Sequence, residues 1–269
     1  MKAKLLFIKF LFIVVIVSVV FETKAVGLGS IKPVEMEWTV NGVVRKALVY
    51  IPESANIHVT PLIFAFHGHG GTMNSMYTTR KFDQLWPEAI FVCPQGLNTP
   101  GKLTDPEGNR SGWAMNPEGQ NRDIDFFDAM LKTFKEDYKV DEKRIFATGH
   151  SNGGGFTYLL WALRGDRFAA FAPTATTAGK LVDKLIPKPV LHLTGEADPL
   201  VKPLWQKQTT DYLLKLNQCT GEGKKIDTYT TAYFSKSKNP VLLFSHAGGH
   251  VYPIAANQTI ITFFKDISK

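Results

Sequence analysis

Ser151 stands in the middle of Gly149-His150-Ser151-Asn152-Gly153, a G-x-S-x-G pattern. A serine hydroxyl is a weak nucleophile at neutral pH. A chain that uses one must also supply a base within hydrogen-bond reach and a carboxylate that orients the base. Two later loops offer both. Gly195-Glu196-Ala197-Asp198-Pro199 carries two acids, and His246-Ala247-Gly248-Gly249-His250 carries two histidines. Asp198 is preferred, because Pro199 favours a sharp loop that presents the carboxylate; Glu196 is its rival. Asp227, at a strand start, is set aside. His250 is preferred over His246, because it follows two glycines in a loop where an imidazole can swing over the serine. His192 lies inside an apolar run and reads as a core histidine. Together these groups could carry out acyl transfer through a covalent intermediate.

Such a site also needs donors for the oxyanion. The N–H after the serine, on Asn152, is one candidate. His67-Gly68-His69-Gly70-Gly71 follows an apolar strand, and the N–H of His69 is taken as the second. The His150 side chain is expected to pack beneath the serine turn. Trp113 and Trp205 are aromatic candidates for the substrate pocket.

The elements that must hold these loops are readable from hydrophobic period. Ile145-Phe146-Ala147 is a short apolar run, as in a strand covered on both faces. Phe156, Leu159, Leu160 and Leu163 then repeat with helical spacing, and Gly165 sits where a C-cap glycine belongs. Leu62–Phe66, Ala89–Val92, Phe168–Phe171, Val190–Leu193, Ile226–Phe234 and Val241–Phe244 read as further strands. Helices are expected over Met73–Lys81, from Asp123, over Pro203–Leu216 and at the C-terminus. Val34–Val40 and Val43–Tyr50, joined by Asn41-Gly42, carry a strong hairpin signal. Residues 95–120 read as a long surface loop. Strands and helices alternate from residue 62 onward. The expected fold is therefore α/β, a mostly parallel sheet with helices on both faces and an N-terminal antiparallel hairpin. In such folds ligands bind beyond the C-terminal strand ends, where all four loops fall. The chain order Ser, Asp, His is that of the α/β-hydrolase arrangement.

The elbow with its strand and helix, Phe66-His67-Gly68, Asp166-Arg167-Phe168-Ala169-Ala170-Phe171, Gly195–Pro199 and Gly248-Gly249-His250-Val251-Tyr252-Pro253 together resemble a known group. The sequence is similar to the secreted esterases of carbohydrate esterase family 1 and to polyhydroxybutyrate depolymerases, from about residue 34 to the end. It departs at Tyr252, where that family often has Trp, and at Arg122-Asp123, where the family has a paired-acid helix start. The resemblance implies a serine esterase acting on feruloyl or acetyl esters of plant polysaccharide. A polyester depolymerase is the alternative within that resemblance. A non-catalytic carbohydrate-binding protein on a hydrolase fold is the alternative of another class.

Composition narrows the remaining choices. Met1–Lys4 is basic, Leu5–Phe21 is almost wholly apolar, and Thr23-Lys24-Ala25 offers small residues at a cleavage site. Residues 1–25 read as a signal peptide and residues 26–269 as a single catalytic domain, which predicts a secreted protein with no stable membrane association. Removing that segment takes away Lys2, Lys4, Lys9, Lys24 and Glu22 and lowers the net charge from +7 to +4. Without a Lys/Arg cluster, no nucleic-acid partner is expected. The seven histidines are scattered, and neither a metal nor another cofactor is expected. Cys93 and Cys219 could pair in an exported protein, or stay free.

Overall fold

The chain enters its main sheet through a hairpin of β1 (Val34–Val40) and β2 (Val43–Tyr50). Asn41 and Gly42 both take positive φ, 51° and 78°, the backbone a two-residue type I′ turn requires. The computed structural model describes residues 32–101 and 104–268. The proposed signal peptide, residues 1–25, lies outside the described residues.

After the hairpin come β3 (Thr60–Phe66), α1 (Met73–Arg80), α2 (Phe82–Leu85) and β4 (Ile90–Pro94). A two-stranded ribbon, β5 (Leu97–Asn98) with β6 (Ser111–Gly112), lies within the expected long loop. The chain continues through α3 (Arg122–Asp137), β7 (Val140–His150), α4 (Asn152–Arg164) and β8 (Ala170–Thr174). It ends with β9 (Val190–Gly195), α5 (Pro203–Leu216), β10 (Lys224–Lys225), β11 (Thr230–Tyr233), β12 (Val241–His246) and α6 (Ala256–Ile267).

The main sheet runs β1-β2-β4-β3-β7-β8-β9-β12-β11-β10. Its middle, from β4 to β12, is parallel, and both flanks are antiparallel. This is the α/β-hydrolase fold expected from the alternation of elements. The strand pleat sorts its side chains between two cores. Leu62, Phe64 and Phe66 of β3 join Ile145 and Ala147 of β7 on the face covered by α3, α4 and α5. Ile63, Ala65 and Phe146 point the other way, against α1 and α6. There Phe146 stacks on Phe264 with ring centroids 4.5 Å apart. Each such ring, taken fully out of water, contributes about 2–3 kcal/mol before its entropy cost. Burial on both faces explains why β3 is apolar at nearly every position.

Several local expectations are corrected. Ile226–Phe234 is not one strand. Ile226 is half exposed, and the Asp227 carboxylate accepts the N–H groups of Tyr229 and Thr230, which turns the chain between β10 and β11. The strand expected over Phe168–Phe171 is displaced to Ala170–Thr174, because Asp166-Arg167 still belong to a single 3₁₀ turn. That turn begins at Gly165, which is right-handed (φ −56°) rather than a left-handed cap. Cys93 and Cys219 are free thiols. Cys93 lies in β4, while Cys219 bridges to Ser235 beyond β11. Five strands separate those places, about 25–30 Å at ~4.8 Å per strand, so no disulfide can form.

Candidate active site

The turn from β7 into α4 is as sharp as the glycine pattern implies. Ser151 takes φ 56° and ψ −117°, a backbone that a residue with a side chain adopts only under strain. Its N–H is anchored on the Thr174 carbonyl at 2.9 Å. The flanking glycines are demanded by close approach. A Cβ on Gly149 would stand 2.2 Å from the Gly153 carbonyl oxygen, and one on Gly153 would stand 2.2 Å from that of Phe66. Strand, corner and helix are thus packed too tightly for any other residue, and the serine is left facing outward at the positive end of α4.

Three loops converge on it. Nε2 of His250 lies 2.7 Å from Oγ of Ser151, and Nδ1 of His250 lies 2.8 Å from Oδ2 of Asp198. The Asp198 side chain is fully buried, while the His250 side chain keeps 14% exposure. The other carboxylate oxygen, Oδ1, accepts the N–H groups of Leu200 and Val201, both at 2.9 Å. This Asx turn explains how Asp198-Pro199 aims its acid. With both Asp198 oxygens used as acceptors, the His250 proton sits on Nδ1, and Nε2 is free to accept from the serine hydroxyl.

The competing residues lie elsewhere. Glu196 accepts from the Ser245 hydroxyl at 2.8 Å on an exposed edge. His246 accepts from the Gly248 N–H at 3.1 Å. His192 is fully buried with Nδ1 2.8 Å from the Tyr158 hydroxyl, and burial pushes its pKa down to about 4.

The loop after β3 lies against the elbow. A Cβ on Gly68 would come within 3.6 Å of the Ser151 Cβ. His67, buried, fixes this loop. Its Nδ1 donates to the Gly68 carbonyl at 2.8 Å, and its Nε2 accepts from the Gly96 N–H at 2.9 Å. The His67 carbonyl in turn accepts from Nε1 of Trp113 at 2.8 Å. His69 turns Nε2 toward Asp105 at 3.0 Å. The carboxyl of Asp105 is lowered: burial would raise it, but the bonds from His69 and from the N–H groups of Asn109 and Arg110 outweigh that.

A cavity of about 370 Å³ opens over Ser151. His69, Asn152, Trp113 and His250 line it, together with Met115, Thr176, Leu200 and Val201. Trp113 is its floor rather than a flexible arm: it is 1% exposed and stacked on Phe156. Trp205 does not line this cavity. It is 44% exposed and faces a neighbouring cleft with Tyr212 and Thr177, because the first turn of α5 points it away from Ser151. The ring of His150 lies beside His250, at 5.2 Å between centroids, and borders a separate space behind the loop. Met115 and Val201, which line the cavity over Ser151, carry no motif of the kind that marked the serine, acid and histidine loops. Only Val201, three residues past the acid, carries a local signal.

Comparison with known proteins follows the same lines. Feruloyl esterase C of Emericella nidulans is 30% identical over 212 residues, which is 70% of this chain and 69% of that one. The chain belongs to the feruloyl esterase C family. Probable feruloyl esterase C of Aspergillus terreus is 26% identical over 232 residues, 78% of this chain and 77% of that protein. Among solved structures, an acetyl xylan esterase from Aspergillus awamori superposes with a TM-score of 0.65 at 14% identity, covering 86% of this chain and all but 1% of its own. A ferulic acid esterase does so at 0.62 and 15%, covering 88% and 98%. At those identities the superpositions speak for the fold. No protein-family model matches the chain. Family membership makes this chain a carboxylic-ester hydrolase. Among the described residues no helix is long and apolar enough to cross a membrane.

Proposed function

We propose that this esterase hydrolyses hydroxycinnamoyl esters, feruloyl above all, or acetyl esters carried on plant polysaccharide, with Ser151 as nucleophile, His250 as base and Asp198 as orienting acid. The observation that carries the reading is the unbroken chain from Asp198 through both nitrogens of His250 to Ser151.

The steps follow from the hydrogen bonds. His250 Nε2 takes the Ser151 proton as Oγ attacks the ester carbonyl. The oxyanion is held by the N–H groups of Asn152 and His69. As the tetrahedral species collapses, the carbon–oxygen bond to the alcohol breaks and His250 returns its proton to that alcohol. Water then enters, loses a proton to His250 and attacks the acyl-enzyme. The carboxylic acid leaves and Ser151 regains its proton. Asp198 stays ionised and steadies the transient imidazolium.

The cavity supports an aromatic acyl group. Its volume is at the lower end of small-molecule sites, and Trp113, Met115, Leu200 and Val201 offer apolar walls. The polysaccharide would continue over the neighbouring cleft, which shares Thr177 with the acyl cavity and presents Trp205. Reading residues 1–25 as a leader suits an exported enzyme with an extracellular polymer as substrate. The test is a hydrolysis screen over methyl ferulate, feruloylated arabinoxylan, acetylated xylan and hydroxybutyrate oligomers. Turnover of the hydroxybutyrate oligomers with none of the first three overturns the proposal.

A further inference from the structure

Arg80 is a buried cation that the acyl-transfer steps do not use. It closes α1, is 2% exposed, and lies with its guanidinium carbon 3.0 Å from the centroid of the Tyr252 ring. Tyr252 is locked under it: the phenol donates to Asn257 Oδ1 at 2.6 Å, and Asn257 Nδ2 donates to the Thr79 carbonyl at 2.8 Å. Among the described residues no carboxylate pairs with Arg80, and its buried Nε has no hydrogen-bond partner. Asp83, three residues on, forms no ion pair with it.

A guanidinium cannot escape this by losing its proton. An aromatic face offsets only part of the lost hydration, and a buried charge ordinarily has a counter-charge. Arg80 borders a cavity of about 300 Å³, walled by His150, Tyr252, Gly68, Ser75 and Thr79. His150 lines the same space, and its buried Nε2 also has no hydrogen-bond partner. His69 lines both this cavity and the one over Ser151, so a single loop separates them. Two unpartnered groups, one always cationic and the other able to donate from Nε2, converge where an anion would satisfy both.

We propose that this cavity is a binding site for a small monovalent anion, held by the Arg80 guanidinium and the Nε2–H of His150. The anion supplies the counter-charge that the fold omits. It also ties α1 to the segment carrying His250, through Tyr252, and to the end of β7, through His150. The site lies on the far side of the His69 loop from Ser151, and its test does not depend on the substrate.

The test uses the whole mature enzyme, with bromide as the probe. Crystals grown in sodium bromide are expected to show an anomalous peak within hydrogen-bond reach of Arg80. Thermal unfolding in bromide, against gluconate at equal ionic strength, is expected to rise and saturate. At ten times Kd the folded-to-unfolded ratio gains about elevenfold. Arg80→Gln should abolish that dependence. Acetate in place of bromide separates a halide from a carboxylate ligand, the larger gain naming the class that the site holds. Water alone beside Arg80 in the bromide crystals overturns the proposal. So does an equal midpoint in bromide and gluconate, or an Arg80→Gln enzyme that keeps the bromide dependence. Should that variant not fold, the wild-type crystals and the salt comparison still decide.

Discussion

Asn152 and Trp113 bind each other twice. The Trp113 N–H donates to Asn152 Oδ1 at 2.7 Å, and Asn152 Nδ2 donates to the Trp113 carbonyl at 3.2 Å. The residue that opens α4 thereby holds the floor of the acyl cavity, and Trp113 in turn holds the His67 carbonyl at 2.8 Å. Asn152→Ala keeps its own backbone N–H but frees this chain of contacts. Displacing a positioning group by about 1 Å costs on the order of a hundredfold. We expect kcat on methyl ferulate to fall about 10–100-fold with the fold intact by circular dichroism. An unchanged kcat would show that the loop is held without it.

The geometry separates the two acids sharply. Asp198→Asn is expected to reduce kcat about 10⁴-fold, because the amide would favour the wrong His250 tautomer. Glu196→Gln should stay within about twofold, since its carboxylate accepts from Ser245 on an exposed edge and does not touch His250. Ser151→Ala should reduce kcat about 10⁶-fold and abolish labelling by a fluorophosphonate. Steady-state kinetics on p-nitrophenyl acetate measures all three. Comparable losses at Glu196 and Asp198 would reject the assignment of the acid.

The proposed function sets Trp205 against the polymer, away from the bond that breaks. Its exposed ring offers a sugar stacking face worth about 1 kcal/mol or more. Trp205→Ala should raise KM for feruloylated arabinoxylan roughly fivefold while leaving methyl ferulate unaltered. A matching rise on methyl ferulate would place Trp205 in the acyl cavity instead.

Two histidines with depressed pKa values set an acid limit on stability. Burial lowers His150 to about 3, and lowers His192 to about 4. Unfolding returns each to about 6.5, so the unfolded chain binds more protons between those values. Their contribution is whole above pH ~6.5 and is lost as pH falls toward 4, each by up to about 1.4 kcal/mol per pH unit. His192→Gln removes one such group. Urea unfolding at pH 7, 6 and 5 should show its deficit against wild type shrinking as the pH drops. A constant deficit would mean that His192 takes up its proton equally in the folded and unfolded chains, against the depressed pKa.

Much of this protein is written locally along the chain. The alternation of apolar runs with helical stripes announces the doubly covered sheet, because a strand buried on both faces, such as Leu62–Phe66, can be little else. The G-x-S-x-G spacing announces the elbow, because only glycine survives the 2.2 Å approaches at Gly149 and Gly153. The order of serine, acid and histidine loops is equally plain. What the sequence leaves open is whatever depends on groups far apart along the chain. Asp198 and Glu196 differ by two residues, and only the fold turns one toward His250 and the other toward Ser245. Trp113 and Trp205 look alike as residues; packing against Phe156 makes one a floor, and the start of α5 turns the other outward. Cys93 and Cys219 could have paired until strand order put five strands between them. Arg80 carries no local mark at all. Its isolation arises from which side chains the folded sheet brings near it and which it keeps away, because burial and pairing are set by tertiary neighbours rather than by spacing.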